Sequence, residues 1–174
     1  MCIRSPHQQD GPGVFQVRLV LSFALAFSLT VTGCAPSTAE AERLVQSGLT
    51  AAEAGDTDRA FELFAQAAMS SPRYVPAAIA AAELAVDTGD YAKADEQFTL
   101  AIAWDPATLL WLEKRAAARQ LAGQIEASLA DYNEVIARDP DNATARYNRG
   151  ALAAQRGDRR AAIADLERAF RTPR

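Results

Sequence analysis

Two rhythms of apolar and polar positions divide this chain. From Leu19 to Val31 it reads LVLSFALAFSLTV, an uncharged apolar stretch of about 13 residues behind Arg18. That is the length of a secretory leader's core and falls short of the ~20 residues a helix needs to cross a bilayer. From Ala41 onward the apolar positions instead recur with a step of 34 residues. Small side chains stand at Gly48, Ala82, Ala116 and Gly150, and again at Ala60, Ala94, Ser128 and Ala162. Four residues after the second set come the large apolar Phe64, Phe98, Tyr132 and Leu166, followed three residues on by Ala67, Ala101, Val135 and Ala169. Offsets of three and four put these positions on one face of a helix, with a small residue wherever a large one must be received.

The breakers keep the same step. Gly55, Gly89, Gly123 and Gly157 each mark a turn between two helices, and Pro72, Pro106 and Pro140 each stop the second helix of a pair, because proline cannot continue the hydrogen-bond ladder. A fixed period of this length means that each segment is one supersecondary unit burying its apolar face on its neighbour. The expected units are 41–74, 75–108, 109–142 and 143–174, each a helix pair. A bundle without repeats has no reason to place its turns and stops at equal intervals.

The pattern resembles the tetratricopeptide repeat, and Ala143-Thr144-Ala145-Arg146-Tyr147-Asn148-Arg149-Gly150 reads most like the family's first helix. Unit two departs in having a first helix that is mostly alanine, and unit three in carrying Ile125 and Val135 at offsets that usually hold an aromatic and an alanine. The resemblance implies an all-α solenoid of about four antiparallel helix hairpins whose concave side, lined by the first helix of each pair, binds protein. Carried over offset by offset, the lining is Glu42, Val45, Leu49, Ile79, Glu83, Val86, Glu113, Ala117, Gln120, Tyr147, Ala151 and Ala154, with Asn142 near the mouth. Val45, Ile79, Glu113 and Tyr147 occupy the offset at which some relatives hold a carboxyl-terminal peptide with lysine or arginine. That clamp is absent, so the expected guest is an amphipathic helix or an extended apolar segment.

The leader ends in Val31-Thr32-Gly33-Cys34, which resembles the lipobox of bacterial lipoproteins. The resemblance implies that 1–33 is a signal peptide, that cleavage falls before Cys34, and that Cys34 takes the lipid. Two or three acyl chains at ~0.8 kcal/mol per methylene hold a protein firmly where one does not. The stretch 34–40 then reads as the lipidated cysteine and a flexible polar spacer. Ala35 is not the aspartate that retains enteric lipoproteins in the inner membrane, so the expected home is the cell envelope, at the outer membrane and facing the periplasm. An ordinary secretory signal, leaving a freely periplasmic or secreted module, stays open beside this reading. In layout the chain resembles the pilus-assembly lipoproteins of the tight-adherence system and the pilotins, which points to an adaptor in an envelope, pilus or secretion assembly; a regulatory subunit of an envelope enzyme is the alternative.

Charge sharpens this picture. The 174 residues carry a net −4, which provides no overall basic field for nucleic acid. The sign is uneven: 34–108 holds 12 acidic and 4 basic residues, whereas 109–174 holds 9 acidic and 12 basic. His7, the one histidine, lies in the leader, so the mature chain is expected to hold no histidine base, no metal site, no cofactor and no small-molecule substrate, and not to be an enzyme. The glycines stand singly rather than in a phosphate loop. The acidic pairs Asp56 with Asp58 and Asp95 with Glu96 follow turn glycines and read as helix starts, where a carboxylate meets the positive end of the helix dipole. Trp104 is expected to pack between repeats. Phe170 falls on the face of the last helix that a fifth unit would cover, which makes it a candidate for self-association or for a partner, unless the stems of Arg160, Arg168 and Arg171 mask it.

Overall fold

The computed structural model describes residues 36–171 and contains, among them, eight helices and no strand: α1 Pro36–Glu53, α2 Thr57–Ser70, α3 Val75–Asp87, α4 Tyr91–Trp104, α5 Leu109–Leu121, α6 Ile125–Arg138, α7 Ala143–Gln155 and α8 Arg159–Ala169. Each packs first on its hairpin partner and then on the helices next to it in the chain, so the layout is a one-dimensional stack of four helix pairs.

The punctuation works as the spacing predicts. Gly55, Gly89, Gly123 and Gly157 have φ of 82°, 78°, 75° and 82°, a left-handed conformation that other residues rarely adopt. In each turn the residue after the glycine returns its N–H to a carbonyl five residues back: Asp56 to Ala51, Asp90 to Ala85, Gln124 to Arg119, Asp158 to Ala153. This closes the first helix with a Schellman motif. The same residue then opens the second helix, and Asp56, Asp90 and Asp158 accept from Arg59, Lys93 and Ala161 N–H at 3.1, 3.1 and 3.0 Å. Gln124 makes no side-chain cap. The second helices end at Ser70, Trp104 and Arg138, two residues before each proline.

The core divides by junction. Ala41, Val45, Ala60, Phe64, Ala67, Ala77, Ala81 and Leu84 unite α1, α2 and α3. Ala78, Ile79, Ala82, Ala94, Phe98, Ala101 and Ala118 unite α3, α4 and α5, with Trp104 and Trp111 packed at the edge. Leu112, Ala116, Tyr132, Val135, Ile136, Ala145 and Leu152 unite α5, α6 and α7. Gly48 shows why the small positions are small: a Cβ there would lie 2.5 Å from the Phe64 ring. Ser128 keeps its buried hydroxyl in the third hairpin by donating to the Ala116 carbonyl at 2.8 Å. Tyr132, in the slot of Phe64 and Phe98, has a buried hydroxyl with Asn148 near it but outside hydrogen-bond geometry, and burial pushes its phenol to about 12.

One boundary differs from expectation. The stretch 34–40 was expected to be a flexible spacer, yet α1 begins at Pro36. Proline is well placed in the first turn of a helix, where its missing N–H would have no partner, and no breaker stands between it and Ala41. The segment 1–33, expected to be a signal peptide, and Cys34 lie outside the described residues.

Gln124→Asp should supply the cap that the other three hairpins have. A gain of about 1 kcal/mol is expected from the typical worth of such a cap, read as a raised urea midpoint at unchanged slope; an unmoved midpoint would show that the third turn does not depend on it.

Candidate protein-binding surface

The first helices α1, α3, α5 and α7 carry the expected lining, and their neighbours treat its members differently. Glu42 is exposed, Leu49, Glu83, Val86, Glu113, Gln120 and Asn142 are half-buried, and Tyr147 is 50% exposed. Val45 and Ile79 are a correction: at 7% and 2% exposure they belong to the first and second core clusters and cannot face a guest. Alanine at 77, 78 and 81 allows the helices of the first two junctions to come close, and a branched side chain at this offset is swallowed. At the equivalent offset in the later hairpins, Glu113 and Tyr147 stay accessible.

Several of the remaining lining residues hold one another. Lys114 donates from Nζ to Glu83 Oε1 at 2.6 Å, tying α5 to α3. Asn142 donates from Nδ2 to Glu113 Oε1 at 2.8 Å while its Oδ1 accepts the Ala145 N–H at 2.8 Å, so one side chain both caps α7 and ties it to α5. These links set the spacing of adjacent first helices. Burial pushes the Glu83 carboxyl above its ordinary value, Lys114 offsets part of this, and Asp87 adds to it.

At the last hairpin two candidates that the sequence assigns to separate surfaces come together. Phe170, 71% exposed, meets Tyr147 edge to face with ring centroids 6.1 Å apart. With Ala143, Thr144 and Ala169 they line a cavity of about 250 Å³. The first-helix face thus runs without interruption onto the outer end of α8.

A second set of polar contacts escaped the sequence reading. Arg115 on α5 holds Asp131 on α6 with two bonds of 3.0 and 2.8 Å and reaches back to Thr99 on α4 at 2.9 Å. Arg119 adds a 2.8 Å bond to Asp131 and a second bond to Asp95. One period later Arg149 holds Asp165 with two bonds of 2.7 Å and reaches back to Asn133 at 2.7 Å, while Arg146 joins Asp165 at 3.2 Å. The signal was present, since Arg115 and Arg149, Asp131 and Asp165, and Thr99 and Asn133 are all 34 residues apart. The first two hairpins have Ser47 with Leu63 and Ala81 with Gln97 at these places, so only the carboxy-terminal half is held this way. Of the acidic pairs, Asp56 is a helix cap and Asp95 an arginine partner. Trp111 donates from its indole to Asp105 at 3.1 Å, bracing the turn into α5. Among the described residues no group of three or more histidine, cysteine, aspartate or glutamate side chains could hold a metal ion, and no helix is long and apolar enough to cross a membrane.

Comparison with known proteins agrees with this architecture. A tetratricopeptide-repeat family model matches residues 51–118 and a TPR-repeat model matches 121–157. No curated protein matches the chain. Among solved structures, it is similar to a tetratricopeptide repeat protein from Parabacteroides merdae ATCC 43184 (23% identity over 74% of this chain and 52% of that one, TM-score 0.67). It is also similar to MamA 41-end from Desulfovibrio magneticus RS-1 (20%, covering 76% and 78%, TM-score 0.64). A third is the first TPR of Spaghetti (RPAP3), solved bound to the HSP90 peptide SRMEEVD (20%, covering 69% and 95%, TM-score 0.60). At these identities the likeness is one of fold.

Two measurements follow. Asp131→Ala leaves two arginines, 14% and 17% exposed at the side chain, short of a counter-charge and should cost about 3–5 kcal/mol in urea unfolding, the scale for breaking a buried pair; a cost near zero would make the ladder ornamental. Glu83 binds its proton more tightly folded than unfolded, so acidification through the range above 4.5 favours the folded state. Wild type should therefore gain stability relative to Glu83→Gln as pH falls from 7 towards 4.5, and a difference that stays flat with pH would contradict the raised value.

Proposed function

The chain belongs to the tetratricopeptide repeat family, and from that premise we propose that it is a non-enzymatic adaptor, tethered to a bacterial envelope membrane through Cys34, that holds a partner polypeptide on the face of its first helices. The observation that carries the tether is the uncharged run Leu19–Val31 closing on Val31-Thr32-Gly33-Cys34. With α1 starting at Pro36, the lipid would sit beside the first hairpin, which would hold the solenoid near the membrane by its amino-terminal end. The proposed site is the outer membrane, on its periplasmic side, within an envelope, pilus or secretion assembly.

Features of the face support a peptide-sized guest. Leu49, Val86 and Tyr147 offer apolar surface, and Glu113 and Glu83 are drawn into contacts within the protein. A related fold holds the short peptide SRMEEVD. That peptide ends in acidic residues, whereas this face presents Glu113 and Tyr147 at the clamp offset, so the guest here is a different one, apolar or amphipathic. Tethering would contribute by raising the local concentration of both partners at the membrane.

Palmitate labelling of the full chain expressed in a Gram-negative host is expected to mark Cys34, and Cys34→Ser should abolish the label and move the protein from the membrane to the soluble fraction. Absence of label on the wild-type chain, or label that persists in Cys34→Ser, would remove the tether while leaving the binding face to be judged separately by photo-crosslinking from position 147.

A further inference from the structure

The fourth hairpin contains a cavity of about 540 Å³ between α6, α7 and α8. Leu129, Ala153, Ala161 and Ala164 form its apolar part, and Arg149, Arg156, Asp158 and Asp165 its charged part. Ala161 and Ala164 are exposed, so it opens to solvent. On α7 and its C-cap Arg156, positions 149, 153 and 156 lie on the side of the helix away from 147, 151 and 154. The cavity is therefore separate from the first-helix face.

The internal repeat explains the space. One period earlier, Ala153 and Leu129 are Arg119 and Asp95, and there the Arg119 guanidinium spans from Asp95 to Asp131. In both hairpins the buried aspartate receives two arginines, but the second comes from a different position. In the fourth hairpin it is Arg146, whose counterpart one period earlier is Leu112. Asp165 is thus satisfied without an arginine at 153, and the volume that Arg119 fills stays empty. Leu129 stands where Asp95 would be, and the two acids of the lining are already engaged, Asp165 with Arg146 and Arg149 and Asp158 with the Ala161 N–H. The vacancy suits an apolar group.

Charge selects the surroundings of that group. Residues 143–174 hold 8 basic and 3 acidic residues, whereas each earlier hairpin holds more acidic than basic ones. Among the described residues, Arg156, 49% exposed at the side chain, pairs with Glu126, itself 80% exposed, and such a pair exchanges readily because its net worth in water is small. We propose that this cavity is a second docking site, which takes a large apolar side chain from an acidic partner segment whose carboxylate replaces Glu126 on Arg156. The site would let one adaptor hold two polypeptides, one on each side of α7.

The test is a methyl NMR titration of the full chain in detergent micelles with two matched peptides, acetyl-Glu-Glu-Leu-Phe-Glu-Glu-amide and the same peptide with lysine for each glutamate. The acidic peptide should shift the methyl signals of Leu129, Ala153, Ala161 and Ala164, and the lysine peptide should leave them in place. Arg156→Glu should weaken the acidic peptide about threefold to tenfold, the scale of a reversed surface ion pair. Ala164→Leu should reduce its binding by filling the space, with a helical melt confirming that both variants fold. Absence of shifts at these methyls up to millimolar peptide, equal response to both peptides, or indifference to both substitutions would overturn the proposal. Signals from Ala151 and Ala154 report the first-helix face in the same spectra, so binding there alone would overturn the second site and leave the first standing.

Discussion

The stack depends on a large side chain being received by a small one wherever two helices of a hairpin cross. Phe64 lies against Gly48 so closely that even a methyl group would collide with its ring, and in the fourth hairpin Gly150 sits 3.2 Å, measured from where a Cβ would be, from Leu166. Ala82 and Ala116 are fully buried at the same offset in the middle hairpins. Close approach brings many weak dispersion contacts to bear on a chain with few aromatic residues. It also fixes the angle at which one pair presents itself to the next, so the position of every surface feature follows from it.

With that geometry in place, the junctions are finished in two ways. The first half is closed by apolar packing, and alanine at 77, 78, 81, 82 and 85 lets the helices approach until Val45 and Ile79 disappear inside. The second half inserts arginine between helices and satisfies it with Asp131 and Asp165. Buried ion pairs add little net stability over a packed apolar core, yet they penalise any arrangement that separates them. The carboxy-terminal hairpins are therefore held in one register by charge geometry, whereas the amino-terminal ones are held by shape.

This division matters for binding. The proposed face, whose spacing is set by Lys114 with Glu83 and by Asn142 with Glu113, is organised before a guest would arrive, which would limit the ordering cost of association. Of the acids on that face, Glu83 and Glu113 are committed within the protein and Glu42 stays exposed, and the apolar part of the face ends at Tyr147 and Phe170.

The equal spacing of Gly55, Gly89, Gly123 and Gly157 and of the three prolines determined, without coordinates, the helix count, the turns, the stops and the pairing of small with large residues, because these are local requirements of backbone conformation and helix period. The apolar run Leu19–Val31 and Cys34 are likewise features of the sequence alone. Tertiary structure decided which lining positions remain accessible, because burial depends on how near the neighbouring helix comes: Val45 and Ile79 share an offset with Tyr147 but not its surroundings. It also decided the partners of the charged residues. Arg115, Asp131 and Thr99 lie on three different helices, and a spacing of 34 marks them as equivalent to Arg149, Asp165 and Asn133 without saying that they touch. Their meeting follows from the stacking of one hairpin on the next, a property that no single repeat contains.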